Sequence, residues 1–317
     1  MGRLERIVFF GTPSFAVPTL KALAEAGRKP VLVVTQPSRP AGRGRRLQLP
    51  PVGELAQELE VPLLQPHRVK KPDFLDTIRS LEPDVAVVVA FGQIFPLSLL
   101  KIPLNGCLNL HASLLPAYRG AAPIQAAIAA GDVETGVSTM VMEKGLDSGP
   151  VLLQRSLPIG DKETSGELAP RLAQLGADLM VQTLEELEQG SLVPQAQPEE
   201  GVSYAGRIQK EEGRIDWNLT ASQIFCRLRA FSPWPGIFSE LRGETVKVLF
   251  AEPMVCLHQE TPGSYVGLED GRMKVVCGGG TVLGIEKLQR PGRKALDAKD
   301  FSNGERLETG ERFGGLS

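Results

Sequence analysis

The sequence predicts a doubly wound α/β domain followed by a small β-barrel. Apolar strand runs alternate with helical periodicity through residues 1–190. A stretch rich in Pro, Gln, Glu and Gly then interrupts the pattern at 191–206, and short strand runs separated by turns occupy 207–317.

The first strand is Arg6-Ile7-Val8-Phe9-Phe10, ending at Gly11-Thr12-Pro13. Leu20, Leu23 and Ala24 mark one face of the helix that follows, and Gly27 is its stop signal. Val31-Leu32-Val33-Val34 reads as a second buried strand, with helices around 54–59 and 73–81 after it. The continuous β-branched run at 85–90 suits a central parallel strand. A strand at 107–112 and a helix near 124–130 come next, then strands at 134–142 and 151–159. Thr164-Ser165-Gly166-Glu167 is a capping box that opens a long helix towards Glu188. In the second half, Thr220-Ala221-Ser222-Gln223 caps a short helix through Arg229. Strands are expected at 246–250, 264–268, 273–277 and 281–288, with Glu269-Asp270-Gly271 and Gly278-Gly279-Gly280 as turns. The expected organisation is a domain at 1–190, a linker at 191–206 and a second domain at 207–317.

With 317 residues, 42% of them hydrophobic and 23% charged, the chain can bury a sizeable core and is neither disordered, collagen-like nor a coiled coil. The net charge of −2 conceals opposed blocks. Residues 1–79 carry 13 Lys+Arg against 7 Asp+Glu, residues 80–204 carry 6 against 15, and residues 205–317 carry 16 against 15. Such a distribution leaves an anionic partner open. The four cysteines lie far apart without a C-x-x-C pair, which fits buried free thiols in a reducing compartment. The N-terminal segment lacks the pattern of a signal or transit peptide, and the longest apolar run is far too short to cross a membrane. A cytoplasmic protein is expected, with no membrane association and no obligate protein partner evident.

The turn Gly11-Thr12-Pro13-Ser14 is neither a dinucleotide fingerprint nor a phosphate-binding P-loop. G-x-S-x-G and H-E-x-x-H are absent, and His67, His111 and His258 offer no metal-ligand spacing, so no metal is expected. The informative segment runs from Asn109 through His111, Ser113, Leu114, Leu115 and Pro116 to Arg119-Gly120. Asn109 and His111 are two apart on a strand and share a face. They stand at its carboxyl end, where open α/β sheets bind ligands. Alone, the pair fits equally a histidine hydrogen-bonded at a strand end. Asp147, in the polar turn Glu143–Pro150, reads by itself as a turn residue. If the fold brings it to His111, a carboxylate would favour the charged imidazole and fix its orientation. Asn109 and His111 would then form a donor pair for a developing oxyanion, which suits acyl transfer without a covalent intermediate. The third feature is the Gly/Pro-rich loop holding Arg39, Arg43, Arg45 and Arg46 without an acid, either a solvated loop or a phosphate-binding one. A second basic run with Arg290, Arg293 and Lys294 is less specific.

Taken together and in this order, these segments resemble the methionyl-tRNA formyltransferase family. The resemblance spans nearly the whole chain and continues in Ile215-Asp216-Trp217 and Phe231-Ser232-Pro233-Trp234-Pro235-Gly236. It implies a Rossmann-like formyltransferase domain with a C-terminal OB-like β-barrel domain that helps hold tRNA. The implied donor is 10-formyltetrahydrofolate, and the implied acceptor is the α-amino group of methionine on initiator Met-tRNA. By resemblance Asn109, His111 and Asp147 are the catalytic trio, Ser113, Leu114, Leu115 and Pro116 contact the folate, and Arg43 reaches the tRNA acceptor end with Arg39, Arg45 and Arg46 beside it. Small departures are Arg45-Arg46 where lysines are common, Ser38 in place of a frequent acid, and Pro150 where an acid is usual. A formyltransferase acting on a sugar nucleotide or other small amine is the nearest rival. A non-catalytic tRNA-binding module is the rival from another class.

Overall fold

Burial dictates the first sheet. In the computed structural model, which describes residues 4–41 and 46–314 (the side chains of 41 and 46 excepted), the β-branched runs lie where both faces are covered. The chain divides into two units. The first comprises Met1–Pro123, Glu134–Pro158 and Ala169–Ala205, and the second Ile124–Val133, Ile159–Leu168 and Gly206–Ser317.

In chain order the elements are β1 (Ile7–Gly11), α1 (Val17–Glu25), β2 (Leu32–Val34), β3 (Arg39–Ala41), β4 (Arg46–Gln48), α2 (Pro51–Glu58), β5 (Leu63–Leu64) and α3 (Pro72–Ser80). Then come β6 (Val85–Val89), α4 (Leu97–Leu100), β7 (Cys107–His111), β8 (Arg119–Gly120), α5 (Pro123–Ala130), β9 (Glu134–Val141), β10 (Val151–Pro158), α6 (Ser165–Gln189) and β11 (Tyr204–Ala205). The remainder is α7 (Ala221–Ala230), β12 (Ile237–Leu241), β13 (Glu244–Leu257), β14 (Tyr265–Glu269), β15 (Arg272–Val276), β16 (Thr281–Gln289), β17 (Leu296–Asp297) and α8 (Ala298–Glu305).

The first unit is built on a seven-stranded sheet in the order β10-β9-β7-β6-β1-β2-β5. Strands β5, β2, β1, β6 and β7 are parallel, while β9 and β10 run antiparallel at one side. On one face Val8, Phe10, Val34, Ala86, Val88 and Cys107 pack with Phe74, Leu75 and Ile78 of α3 and with Phe91 and Phe95. The Phe10 ring meets those of Phe91 and Phe95 edge-on, at 5.3 and 4.9 Å. Opposite, α6 approaches so closely that a Cβ at Gly176 would stand 2.6 Å from Leu110.

Two segments differ from expectation. The arginine loop forms an antiparallel pair, Arg39 opposite Gln48 and Ala41 opposite Arg46, on either side of residues 42–45. Arg43 and Arg45 lie outside the described residues. The stretch expected as a linker is instead packed on the first unit, with Gln195 bridging Val151 and β11 pairing β8. The reason is its backbone groups, which find sheet partners that composition does not reveal.

The second unit holds an antiparallel sheet in the order β12-β13-β16-β15-β14, with β17 on β16. Among the described pairings β12 and β14 do not join, so the expected barrel is observed as a sheet with two edges. Residues 310–314 hydrogen-bond to both. Gly314 N donates to Glu240 O at 2.7 Å, and Phe313 N to Gly263 O and Tyr265 N to Glu311 O at 2.8 Å each. Trp217 is buried beside Phe313 and donates to Ser239 Oγ at 2.9 Å. Its motif therefore builds the core of this unit. All four cysteines are free, and burial pushes the Cys107 and Cys277 thiols up to about 12. Cys256, expected to be buried, is exposed near the end of β13.

Candidate active site

The strand β7 carries Asn109 and His111 on the face that includes Cys107, because side chains alternate along a strand. The chain then turns through Ser113 to Pro116, and internal hydrogen bonds hold this turn. Ser113 Oγ donates to Ala117 O at 2.6 Å, and Ser138 Oγ donates to Ser113 O at 2.6 Å. Leu115 N donates to Ser138 Oγ at 3.1 Å, and Gln154 Nε2 to Leu115 O at 3.0 Å. Ser113 and Leu115 are buried by this network, while Leu114 and Pro116 are half-buried.

The turn directs the carbonyl of Tyr118 back to His111, whose Nε2 lies 2.9 Å from it. A carbonyl only accepts, so Nε2 is the protonated nitrogen. The other ring nitrogen, Nδ1, faces Asp147 Oδ2 at 3.8 Å. That separation is beyond a direct hydrogen bond and leaves Nδ1 directed at the space between the two groups. Asp147, in the turn joining β9 to β10, thus comes to His111 on β7, with Asn109 two residues earlier on the same face of that strand.

Asp147 is fixed from several sides. Gly120 N donates to its Oδ2 at 2.8 Å. Gln197 Nε2 donates to the carbonyls of Asp147 and Gly149 at 2.7 and 2.8 Å. Gln197 Oε1 in turn accepts from Arg119 Nε and Nη2 at 3.0 and 2.7 Å. The backbone at Asp147, Tyr118 and Ala90 has φ of +48°, +58° and +46°, a left-handed region that non-glycine residues seldom occupy. Ala90 and Tyr118 follow the carboxyl ends of β6 and β7, Asp147 lies in the turn that reaches His111 from the antiparallel β9, and strain of this kind gathers at functional sites. Glycine is required at Gly120, with φ of +119°, where a Cβ would meet Ala205 O at 2.5 Å.

The neighbouring strand ends are joined as well. Thr12 Oγ1 donates to Phe91 O at 3.2 Å and accepts from Gln36 N at 3.2 Å. Ile94, in the loop after β6, and Leu146, in the loop after β9, are 91% and 61% exposed. Arg39 is exposed at the start of β3. Sequence reasoning did not single out Gln197, Ser138 or Gln154, and it gave Arg119 no role. Ser138 had a signal, a polar residue inside an apolar strand run. Gln197 had none, because it sits in a stretch whose composition reads as linker. No group of three or more His, Cys, Asp or Glu that could hold a metal occurs among the described residues.

Residues 5–184 match the family described as formyl transferase, and residues 207–306 match the formyl transferase C-terminal domain. Fold and site accordingly define a formyltransferase. The chain is 47% identical over 311 residues to a methionyl-tRNA formyltransferase of Geobacter sulfurreducens, covering 98% of this chain and 96% of that one. Against the protein of that name from Methylococcus capsulatus it is 46% identical over 309 residues, covering 98% and 99%. The chain belongs to the methionyl-tRNA formyltransferase family. Among solved structures, the N-formyltransferase from Helicobacter canadensis in complex with folinic acid and dTDP-3-aminofucose has a TM-score of 0.68 at 16% identity, covering 89% of this chain and 98% of that one. HypX from Aquifex aeolicus in complex with tetrahydrofolic acid has a TM-score of 0.62 at 17% identity, covering 97% and 48%. These two likenesses are of fold.

Proposed function

We infer that the protein transfers a formyl group from a folate-derived donor to the amino group of methionine on initiator Met-tRNA. The observation that carries the chemistry is His111 Nδ1 facing the Asp147 carboxylate at the end of β7, on the strand that also bears Asn109. Full-length identity to methionyl-tRNA formyltransferases supports this acceptor over a sugar nucleotide, whose enzymes share the fold at 16–17% identity. The donor is assigned as 10-formyltetrahydrofolate, which supplies the formyl carbon on N10. The exposed apolar side chains of Ile94, in the loop after β6, and Leu146, next to Asp147 in sequence, are assigned to its planar ring. Ser113 and Leu115 serve the donor by fixing the turn, since their own polar groups are already bonded, and Leu114 and Pro116 offer it surface. The exposed Arg39 supports phosphate contact by the Arg39–Arg46 segment, with Arg43, Arg45 and Arg46 assigned to the tRNA acceptor end. Among the described residues no helix is long and apolar enough to cross a membrane, and the cytoplasm is the compartment this acceptor implies.

The neutral amine attacks the formyl carbon, and negative charge develops on the formyl oxygen. The Asn109 amide and the imidazolium form of His111, which carries a proton on Nδ1 as well as on Nε2, donate to that oxygen, and losing one such donor costs about 3–4 kcal/mol in the transition state. Asp147 accepts the amine proton through water and returns it to N10 as the bond between the formyl carbon and N10 breaks, leaving the formamide on methionine and N10–H on the folate. Asp147→Asn is therefore expected to lower kcat about a hundredfold or more with its thermal unfolding unchanged. Near-normal turnover would remove Asp147 from the mechanism. Offering the donor with initiator Met-tRNA, elongator Met-tRNA or a nucleotide sugar tests the acceptor: formylation of initiator Met-tRNA alone is the expected result.

A further inference from the structure

The carboxyl end of the first unit's sheet carries a charged feature that the reaction does not use. Between β5 and α3 runs His67-Arg68-Val69-Lys70-Lys71, in which Arg68, Lys70 and Lys71 are exposed. None of these three forms an ion pair among the described residues, and Asp73, exposed in the first turn of α3, is the nearest acid in sequence. Surface cations are commonly carried on free chain, but these are held. Val69 between them is 2% exposed and packs in the cluster with Phe10, Phe74, Phe91 and Phe95. Val69 N donates to Gln93 Oε1 at 3.1 Å, and Gln93 Nε2 donates to Pro66 O at 3.2 Å.

Gln93 lies in the loop that follows β6, and β6 is the strand beside β7. Although β5 is the outermost strand, about 19 Å from β7 at the usual strand spacing, its following segment is thus fixed against the loop nearest the reacting groups. The same loop offers two things: the apolar side chain of Ile94 towards solvent, and the amide of Gln93 to the cationic segment.

We propose that Arg68, Lys70 and Lys71 bind the carboxylates of the donor's glutamate tail and favour donors that carry several γ-linked glutamates. The proposal rests on the folate reading above. With the ring and N10 held at the reacting end, the anionic acyl-glutamate end of the molecule must leave past the rim of the site. The rim beside Ile94 carries three cations without a protein counter-charge. Arg68, Lys70 and Lys71 lie within one turn, closed by Lys71 N donating to Arg68 O at 3.4 Å around a buried Val69, which gathers their charges within reach of successive carboxylates on a flexible chain. A tRNA phosphate is the competing occupant. The direct tie to the Gln93 loop, next to the proposed ring surface, favours the tail.

The test is steady-state formylation of initiator Met-tRNA by monoglutamyl and triglutamyl 10-formyltetrahydrofolate. It compares the native protein with an Arg68→Gln/Lys70→Gln/Lys71→Gln variant, and adds Lys70→Arg as a charge-preserving control. The native protein should show a KM on the order of tenfold lower for the triglutamyl donor, a ratio that shrinks as salt rises. The triple variant should bring the two KM values together, and Lys70→Arg should keep them apart. Equal KM values in the native protein would overturn the proposal, and so would a triple variant that retains the ratio. A variant that raises KM for Met-tRNA with the donor ratio intact would assign the segment to tRNA and overturn it as well. Absence of turnover with both donors would overturn the folate reading itself, and the tail proposal with it.

Discussion

Gln197 accepts from Arg119 through Oε1 and donates through Nε2 to the carbonyls of Asp147 and Gly149, so one amide fixes the turn in which Asp147 adopts a left-handed backbone. Removing it leaves two carbonyls and a guanidinium without their partner, while no group on the reacting side is touched. Gln197→Ala should therefore lower kcat about tenfold, the equivalent of one or two lost hydrogen bonds, with KM for Met-tRNA nearly unchanged. Because Arg119 acts through the same amide, an Arg119→Ala/Gln197→Ala double variant should lose little more than the worse single one. A fully additive loss would separate the two residues. Asn109, His111 and Asp147 could be picked out as candidates in the sequence because a strand end and a polar turn carry recognisable local patterns, whereas the approach of Asp147 to His111 comes from the fold. Gln197 was not, because its contacts span 50 residues in sequence and follow from tertiary packing alone.

At the scale of elements, the ends of α1 and α6 are tied by a nearly buried ion pair. Arg28, just past α1, bonds Glu188 of α6 through Nη1 and Nη2 at 2.5 and 2.7 Å, and Leu4 N donates to the same carboxylate at 2.6 Å. The hydrogen bonds that the Arg28 guanidinium donates to the Glu188 carboxylate hold its pKa above its ordinary range. Arg28→Ala would leave Glu188 charged among half-buried neighbours and should cost about 3 kcal/mol, read as a lower urea midpoint. An unchanged midpoint would show that the pair contributes little. Long elements such as β6 and α6 were legible because periodicity accumulates with length. Others were hidden for identifiable reasons. Strand β5 has two residues and no pattern to read, and α8 contains Asn303 and Gly304, which mark turns in most settings. Strand β13 runs on past Pro253, which pairs with Leu283 in the regular stretch between two irregularities of the ladder, so its expected end at 250 fell seven residues short of Leu257.

At the scale of the whole molecule, the net charge of −2 says little, because charges act where they are paired. In the second unit Arg242 grips Glu311 through Nε and Nη2 at 2.8 and 2.6 Å, and Arg290 Nε bonds Glu305 at 3.0 Å. Hydrogen bonds from these arginines hold both carboxyl groups below their ordinary value of 4.5. Depressed carboxylates contribute stability that is present above that value and is lost as pH falls through the lower folded one. The second unit's stability to urea should therefore fall as pH descends below the ordinary value of 4.5. Glu311→Gln should be less stable at neutral pH and less sensitive to that descent, and an equal pH response in both proteins would remove this pair as a cause. Glu311 lies within the segment 310–314 that bonds both edges of the second sheet. Translation makes that segment after every strand it joins. A nascent chain that has reached only α8 already holds Asn109, His111 and Asp147. Yet although Ile215 N bonds Phe238 O of β12, Glu240 O and the backbone of Gly263 and Tyr265 still lack the partners that 310–314 supply, the kind of open edge that recruits other chains. During synthesis, then, the hazard to this protein is adhesion rather than inactivity, and it ends when residues 310–314 emerge and take their places.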